Sequence, residues 1–145
     1  MKKLLAFFIC CAAFASVACA GDSRPITMNE LPATARAFIL QHFAEMTVAY
    51  VDEDPDIFDK SYNLGFSNGD KIEFENDGTW SEVSCPHSAV PVAVIPLPIV
   101  EYMAKNHPAM LVKKIEQGKR GYELKLGNGL ELKFDKKFRM VKIDD

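Results

Sequence analysis

Apolar and polar residues alternate along two stretches of the chain with the two-residue period of half-buried strands. Tyr62, Leu64 and Phe66 alternate with Ser61, Asn63 and Gly65, and Ile72 and Phe74 alternate with Lys71, Glu73 and Glu75. The loop between them follows from parity. A two-residue Asn68-Gly69 turn would set Leu64 opposite Glu73 and mix charge with the core. A three-residue Ser67-Asn68-Gly69 loop pairs Leu64 with Ile72 and Tyr62 with Phe74, and it predicts Gly69 in the left-handed region.

The pattern recurs. Tyr122 to Phe134 matches Tyr62 to Phe74 at an offset of 60, and Met110 to Ile115 matches Met46 to Val51 at an offset of 64. In the second stretch the same loop pairs Leu124 with Leu132 and Tyr122 with Phe134. Glu123 then faces Lys133 and Lys125 faces Glu131, two opposite-charge pairs on the other side. Further strands are expected at Met46 to Asp52 and Thr79 to Ser84, and again at Met110 to Glu116 and Phe138 to Ile143.

A different period precedes each set. Ala35, Phe38, Ile39, His42 and Phe43 form one apolar stripe after Pro32, and Ile99, Tyr102, Met103 and Asn106 another after Pro98. Each predicts a helix of about three turns, too short to stand alone and therefore laid on a sheet. The expectation is an α+β fold in two layers: one helix plus a four-stranded antiparallel meander, occurring twice. The first copy spans 21–94, including the proline-rich connector, and the second spans 95–145. Pairing alone leaves open whether one sheet or two results.

The ends change what belongs to the fold. Lys2 and Lys3, the apolar run from Leu4 to Val17 and Ala18-Cys19-Ala20 read as a signal peptide cleaved after Ala20. A weaker reading of Ser16-Val17-Ala18-Cys19 is lipid anchoring at Cys19. Three of the four cysteines lie in this leader, so the mature chain keeps only Cys85 and has no internal disulfide. From Asp22 to Val94 there are 13 acidic and 4 basic residues, a balance of −9; from Ile95 to Asp145 there are 7 and 11, a balance of +4. An acidic mature chain speaks against nucleic acid, whose phosphates require a basic surface.

Several local patterns together carry a family resemblance. They are Leu31-Pro32, Asp77-Gly78-x-Trp80, Ile95-Pro96-Leu97-Pro98-Ile99, and Asn128-Gly129 followed by Phe134-Asp135. The chain resembles the PepSY-like proteins, small secreted bacterial proteins described as similar to β-lactamase-inhibitor protein, over about residues 27 to 144. The resemblance implies tandem helix-plus-four-strand units, a periplasmic or envelope location and no catalytic residues to carry over. No motif here matches the inhibitor's target-binding loops.

Candidate chemistry is sparse. Asp52, Asp54 and Asp56 alternate like the opening of a calcium loop, but the sixth and twelfth positions hold Ile57 and Asn63 instead of glycine and a bidentate glutamate. Cys85-Pro86-His87 brings a thiol and an imidazole close without a third group to orient them, so a thiol hydrolase is the remote rival. His42, His87 and His107 show no metal-ligand spacing, and no cofactor is expected. The aromatics Tyr50 and Trp80 are specific to the first copy, where the second has Lys114 and Met140. A three-residue loop at Asn76-Asp77-Gly78 pairs Trp80 with Phe74 in the core, the favoured arrangement. A two-residue loop instead sets Val83 against Ile72 and leaves Trp80 on the open face with Tyr50, Asn63 and Glu73, a candidate protein-binding patch. The resulting expectation is a non-catalytic periplasmic module that binds a peptide or protein, with peptidase inhibition as a sharper variant and a calcium-stabilised envelope component as an alternative.

Overall fold

The computed structural model describes residues 22–56 and 58–145. The leader, with its cleavage and anchoring positions, lies outside the described residues. Among the described residues, nine strands form one antiparallel sheet in sequence order, each bonded to the next. They are β1 (Arg24–Pro25), β2 (Val48–Asp54), β3 (Ser61–Phe66), β4 (Lys71–Glu75), β5 (Trp80–Ser84), β6 (Val112–Gly118), β7 (Gly121–Leu126), β8 (Glu131–Asp135) and β9 (Met140–Asp144). Helix α1 (Ala33–His42) precedes β2, and helix α2 (Leu97–Asn106) precedes β6. The two sets of four strands join through β5 and β6, where Val83 pairs with Ile115. The sheet is therefore continuous.

Both hairpins take the register that parity predicts. Leu64 lies opposite Ile72 and Tyr62 opposite Phe74, and Leu124 lies opposite Leu132 and Tyr122 opposite Phe134. Gly69 and Gly129 have φ of 92° and 91°, the left-handed conformation that a three-residue loop needs. Both helices lie on the apolar side of this sheet. Ala35 and Ile39 of α1 and Ile99 and Met103 of α2 are buried in the same core as the strand ladders. Pro32 occupies the position just before α1 rather than its first turn. Backbone amides near a helix start lack partners within the helix, so a proline there loses nothing.

Three features differ from expectation, each for a local reason. Strands β2 and β6 begin two residues later than the alternation suggests, at Val48 and Val112. Each carries an extra residue against its neighbour, between Val48 and Tyr50 and between Val112 and Lys114. Strands β5 and β9 are bulged too, so that Phe74 pairs with Trp80 and Phe134 with Met140 after a shift. Finally, the two-residue β1 pairs Arg24 with Glu53 at the edge of the sheet. A strand ending in proline carries no alternation to read.

Following pairs across the sheet gives the core one unbroken row: Val51, Leu64, Ile72, Val83, Ile115, Leu124, Leu132 and Ile143. All are buried except Ile143 on the edge strand, which is 48% exposed. The row beside it, one residue along each strand, belongs to the opposite face.

Candidate functional site

Among the described residues, no helix covers that opposite face. Its central row reads Asp52, Asn63, Glu73, Glu82, Glu116, Glu123, Lys133 and Lys142, each directly across from the next. Four consecutive glutamates thus span four strands and cross the seam between the two halves. Like charges set directly opposite destabilise a sheet by a few tenths to about 1 kcal/mol per pair. The fold alone does not call for such a row.

Lys114 partly offsets the repulsion at the seam. Its Nζ lies 3.3 Å from Glu82 Oε1 and 2.8 Å from Glu116 Oε1. Burial, and then a hydrogen bond to Glu116, push the Glu82 carboxyl above the ordinary carboxylate range. Burial acts the same way on Glu116, but the Lys114 ammonium and the hydrogen bond from Glu82 outweigh it and hold Glu116 low. Glu82 is therefore the member of the pair that keeps a proton more readily. Farther along, Lys133 Nζ lies 3.1 Å from Glu123 Oε1.

The face is concave here. A hollow of about 630 Å³ is lined by Glu73, Glu82, Glu116 and Glu123, together with Lys119, Arg120 and Tyr122 of the β6–β7 hairpin and with Lys133 and Val141. Ser81 and Val141, the extra residues of β5 and β9, both border it. Bulges bend and twist their strands, consistent with a hollow at these positions.

The four aromatic and polar positions singled out from the sequence do not all meet. Asn63 and Glu73 pair across β3 and β4 on the open face. Tyr50 joins that face at its margin, opposite Gly65, and is 41% exposed. A Cβ on Gly65 would lie 2.1 Å from Tyr50 Cε1, so the missing side chain gives the ring its place. Trp80 lies in the other layer. It pairs with Phe74, its ring stacks 6.2 Å from Phe38 of α1, and its carbonyl accepts a 2.6 Å hydrogen bond from Gln117 Nε2.

The three-residue loop is present, closed by the Glu75 N–H to Thr79 carbonyl bond of 2.8 Å. Yet Val83 also faces Ile72, which the sequence tied to the shorter loop. The bulge at Ser81 satisfies both: one surplus residue lets Trp80 and Val83 face the core together. Trp80 also lines a separate apolar groove with Val92, Leu97 and Val100 beside α2.

The other candidates stay apart. Asp52 and Asp54 lie on β2 opposite Asn63 and Ser61, while Asp56 sits in the loop and accepts the Phe58 N–H at 3.3 Å. Among the described residues, no group of three or more histidines, cysteines or acids is placed to hold a metal ion. His107 caps the end of α2, and His42 ends α1 with its ring 4.8 Å from Phe38.

Cys85 is buried, and burial followed by the nearby Asp70 carboxylate pushes its thiol up to about 11. The thiolate needed for attack is scarce at neutral pH. Asp70 is itself 1% exposed and accepts hydrogen bonds from Ser88 Oγ at 2.6 Å and Asn68 Nδ2 at 2.9 Å. His87 lies over Gly69, 3.0 Å from where its Cβ would be. These contacts pin the connector to the β3–β4 turn, and the arrangement is that of a strut rather than a nucleophile.

A family model described as "Putative beta-lactamase-inhibitor-like, PepSY-like" matches residues 60–142. The chain belongs to this PepSY-like family. No curated protein matches it. Among solved structures, a Bacteroides vulgatus protein described as a "putative periplasmic protein" is 50% identical, covering 87% of this chain and 99% of its own, with a TM-score of 0.84. A Bacteroides thetaiotaomicron protein described as "putative calcium-regulated periplasmic" is 46% identical over 86% and 98%, with a TM-score of 0.83. A second B. vulgatus protein, described as a "putative periplasmic protein of unknown function", is 37% identical over 85% and 99%, with a TM-score of 0.80. This PepSY-like protein is periplasmic, as these relatives are described. Neither the family nor the relatives indicate an enzymatic activity. No helix of the described residues is long and apolar enough to cross a membrane.

Proposed function

We propose that this PepSY-like protein is a non-catalytic binding module that holds a cationic, extended peptide or protein segment on the uncovered face of its sheet. The observation that carries this reading is the row of four glutamates across the hollow. A lysine or arginine side chain laid over it would replace repulsion between neighbouring carboxylates with charge-assisted hydrogen bonds. Lys119 and Arg120 at one rim would select for acidic or neutral groups beside the basic ones. Tyr50, Asn63 and Glu73 form the proposed margin of this surface, with the tyrosine ring as an apolar platform. We read the scaffold as one domain built from two copies of a unit, 21–94 and 95–145, with the site across their seam.

Calorimetry with extended Lys- and Arg-bearing peptides tests the proposal. Binding should weaken steeply with added salt and be lost in the Glu82→Gln/Glu116→Gln double variant. Failure of every such peptide to bind at low salt would reject it. A periplasmic peptidase that itself presents a cationic segment would be one such partner, and inhibition of envelope proteases by the purified protein tests that variant.

The calcium-stabilised alternative has the description of one relative in its favour. The acidic tip at Asp52, Asp54 and Asp56 does not fit it, because the three carboxylates do not converge. A melting temperature unchanged by chelation would dispose of it.

A further inference from the structure

The two edges of the sheet are built differently. At one edge, β1 is two residues long, includes Pro25, and is backed by Glu53 paired with Arg24 at 3.1 Å and Lys60 at 2.9 Å. Short length, proline and an inward charge are devices that stop a sheet from growing. The other edge, β9, has five residues, no proline, and no strand on its outer side among the described residues.

Hydrogen-bond parity fixes what this edge presents. The Leu126 N–H donates to the Leu130 carbonyl, so Leu130, Leu132 and Phe134 turn their backbone groups toward β7. Glu131, Lys133 and Asp135 turn theirs toward β9, as the Asp135 N–H to Arg139 carbonyl bond shows. Lys142 and Asp144 answer Lys133 and Glu131. Ile143 is left with its N–H and C=O directed away from the sheet.

We propose that β9 pairs antiparallel with β9 of a second copy, in a register centred on Ile143. That register sets the two outward Ile143 backbones opposite each other to exchange hydrogen bonds. It brings their half-exposed side chains together on the helix side of the sheet. On the open face it sets Lys142 opposite Asp144 of the other copy, twice, so the strand is complementary to itself. The contact is isologous and closes at two copies, since the guarded β1 edge offers no further pairing. Both hollows then face the same way on one continuous sheet, a bivalent surface.

Sedimentation velocity from micromolar to millimolar protein tests this. The account expects a concentration-dependent rise toward twice the monomer mass. Ile143→Pro removes the outward N–H but no bond to β8, and should weaken dimerisation about tenfold or more with an unchanged melt. Lys142→Asp and Asp144→Lys should each abolish the dimer by setting like charges opposite, and the two together should restore it. That rescue keeps the test decisive even if the proline variant folds poorly. A chain that stays monomeric at millimolar concentration, or a dimer indifferent to all these changes, would overturn the proposal.

Discussion

Two rows of side chains, one residue apart along the same strands, divide the work of this molecule. The row from Val51 to Ile143 is apolar across eight strands and, as far as Leu132, buried on the side that carries the two helices. The row from Asp52 to Lys142 is polar throughout and concentrates four glutamates at its centre. The same backbone ladder serves both, so the difference lies only in which way each side chain points. On the first row every neighbour helps its neighbour. On the second, the central neighbours oppose one another, and stability gives no reason for them.

Substitutions should separate the two faces by magnitude. Phe74→Ala and Leu132→Ala remove fully buried side chains, one from each half of the sheet. They should cost about 3–5 and 2–5 kcal/mol in chemical denaturation. Equal cost in the two halves would sharpen the comparison; a small cost in either would break it.

Trp80→Ala should cost less, about 1.5–3 kcal/mol, because the ring is only partly covered by Phe38 and the connector. Peptide binding on the open face should survive that change, since the tryptophan lies in the other layer. Loss of binding with unchanged stability would contradict this placement.

Glu82→Gln should have the smallest effect and the opposite sign, a gain of roughly 0.2–1 kcal/mol at neutral pH. Its pH dependence follows from the raised carboxyl of Glu82. Below the unfolded value both states are protonated. Between the unfolded and folded values the folded chain holds a proton that the unfolded chain has released. The stability contributed by this group therefore falls as pH rises through the folded value. The gain from glutamine should accordingly be present at neutral pH and fade on acidification into the range where Glu82 is protonated. A gain that persists there would point to a cause other than charge.

Much of the covered face is legible in the sequence because parity allows one hairpin register and forbids the other. Leu64 against Ile72 and Leu124 against Leu132 follow from counting. Bulges escape that counting, since one surplus residue changes the face of everything after it. This is why Trp80 facing Phe74 and Val83 facing Ile72 read as exclusive choices, when the surplus at Ser81 allows both. The β5–β6 seam depends on a pairing across the proline-rich connector, with no short loop to set its register. The glutamate row crosses both the bulge and the seam, so Glu82 and Glu116 are 34 positions apart in sequence yet directly opposed in space. The Asn63–Glu73 pair follows from the hairpin parity, whereas the approach of Glu82 and Glu116 to Glu73 does not.

The most direct measurement is an amide chemical-shift titration of the isotope-labelled protein with an extended lysine-rich peptide. The account predicts shifts confined to β4 through β7 around Glu73, Glu82, Glu116 and Glu123, disappearing in the Glu82→Gln/Glu116→Gln variant. Shifts gathered instead along the apolar groove of Trp80, Val92 and Leu97, or equal binding by the double variant, would contradict it.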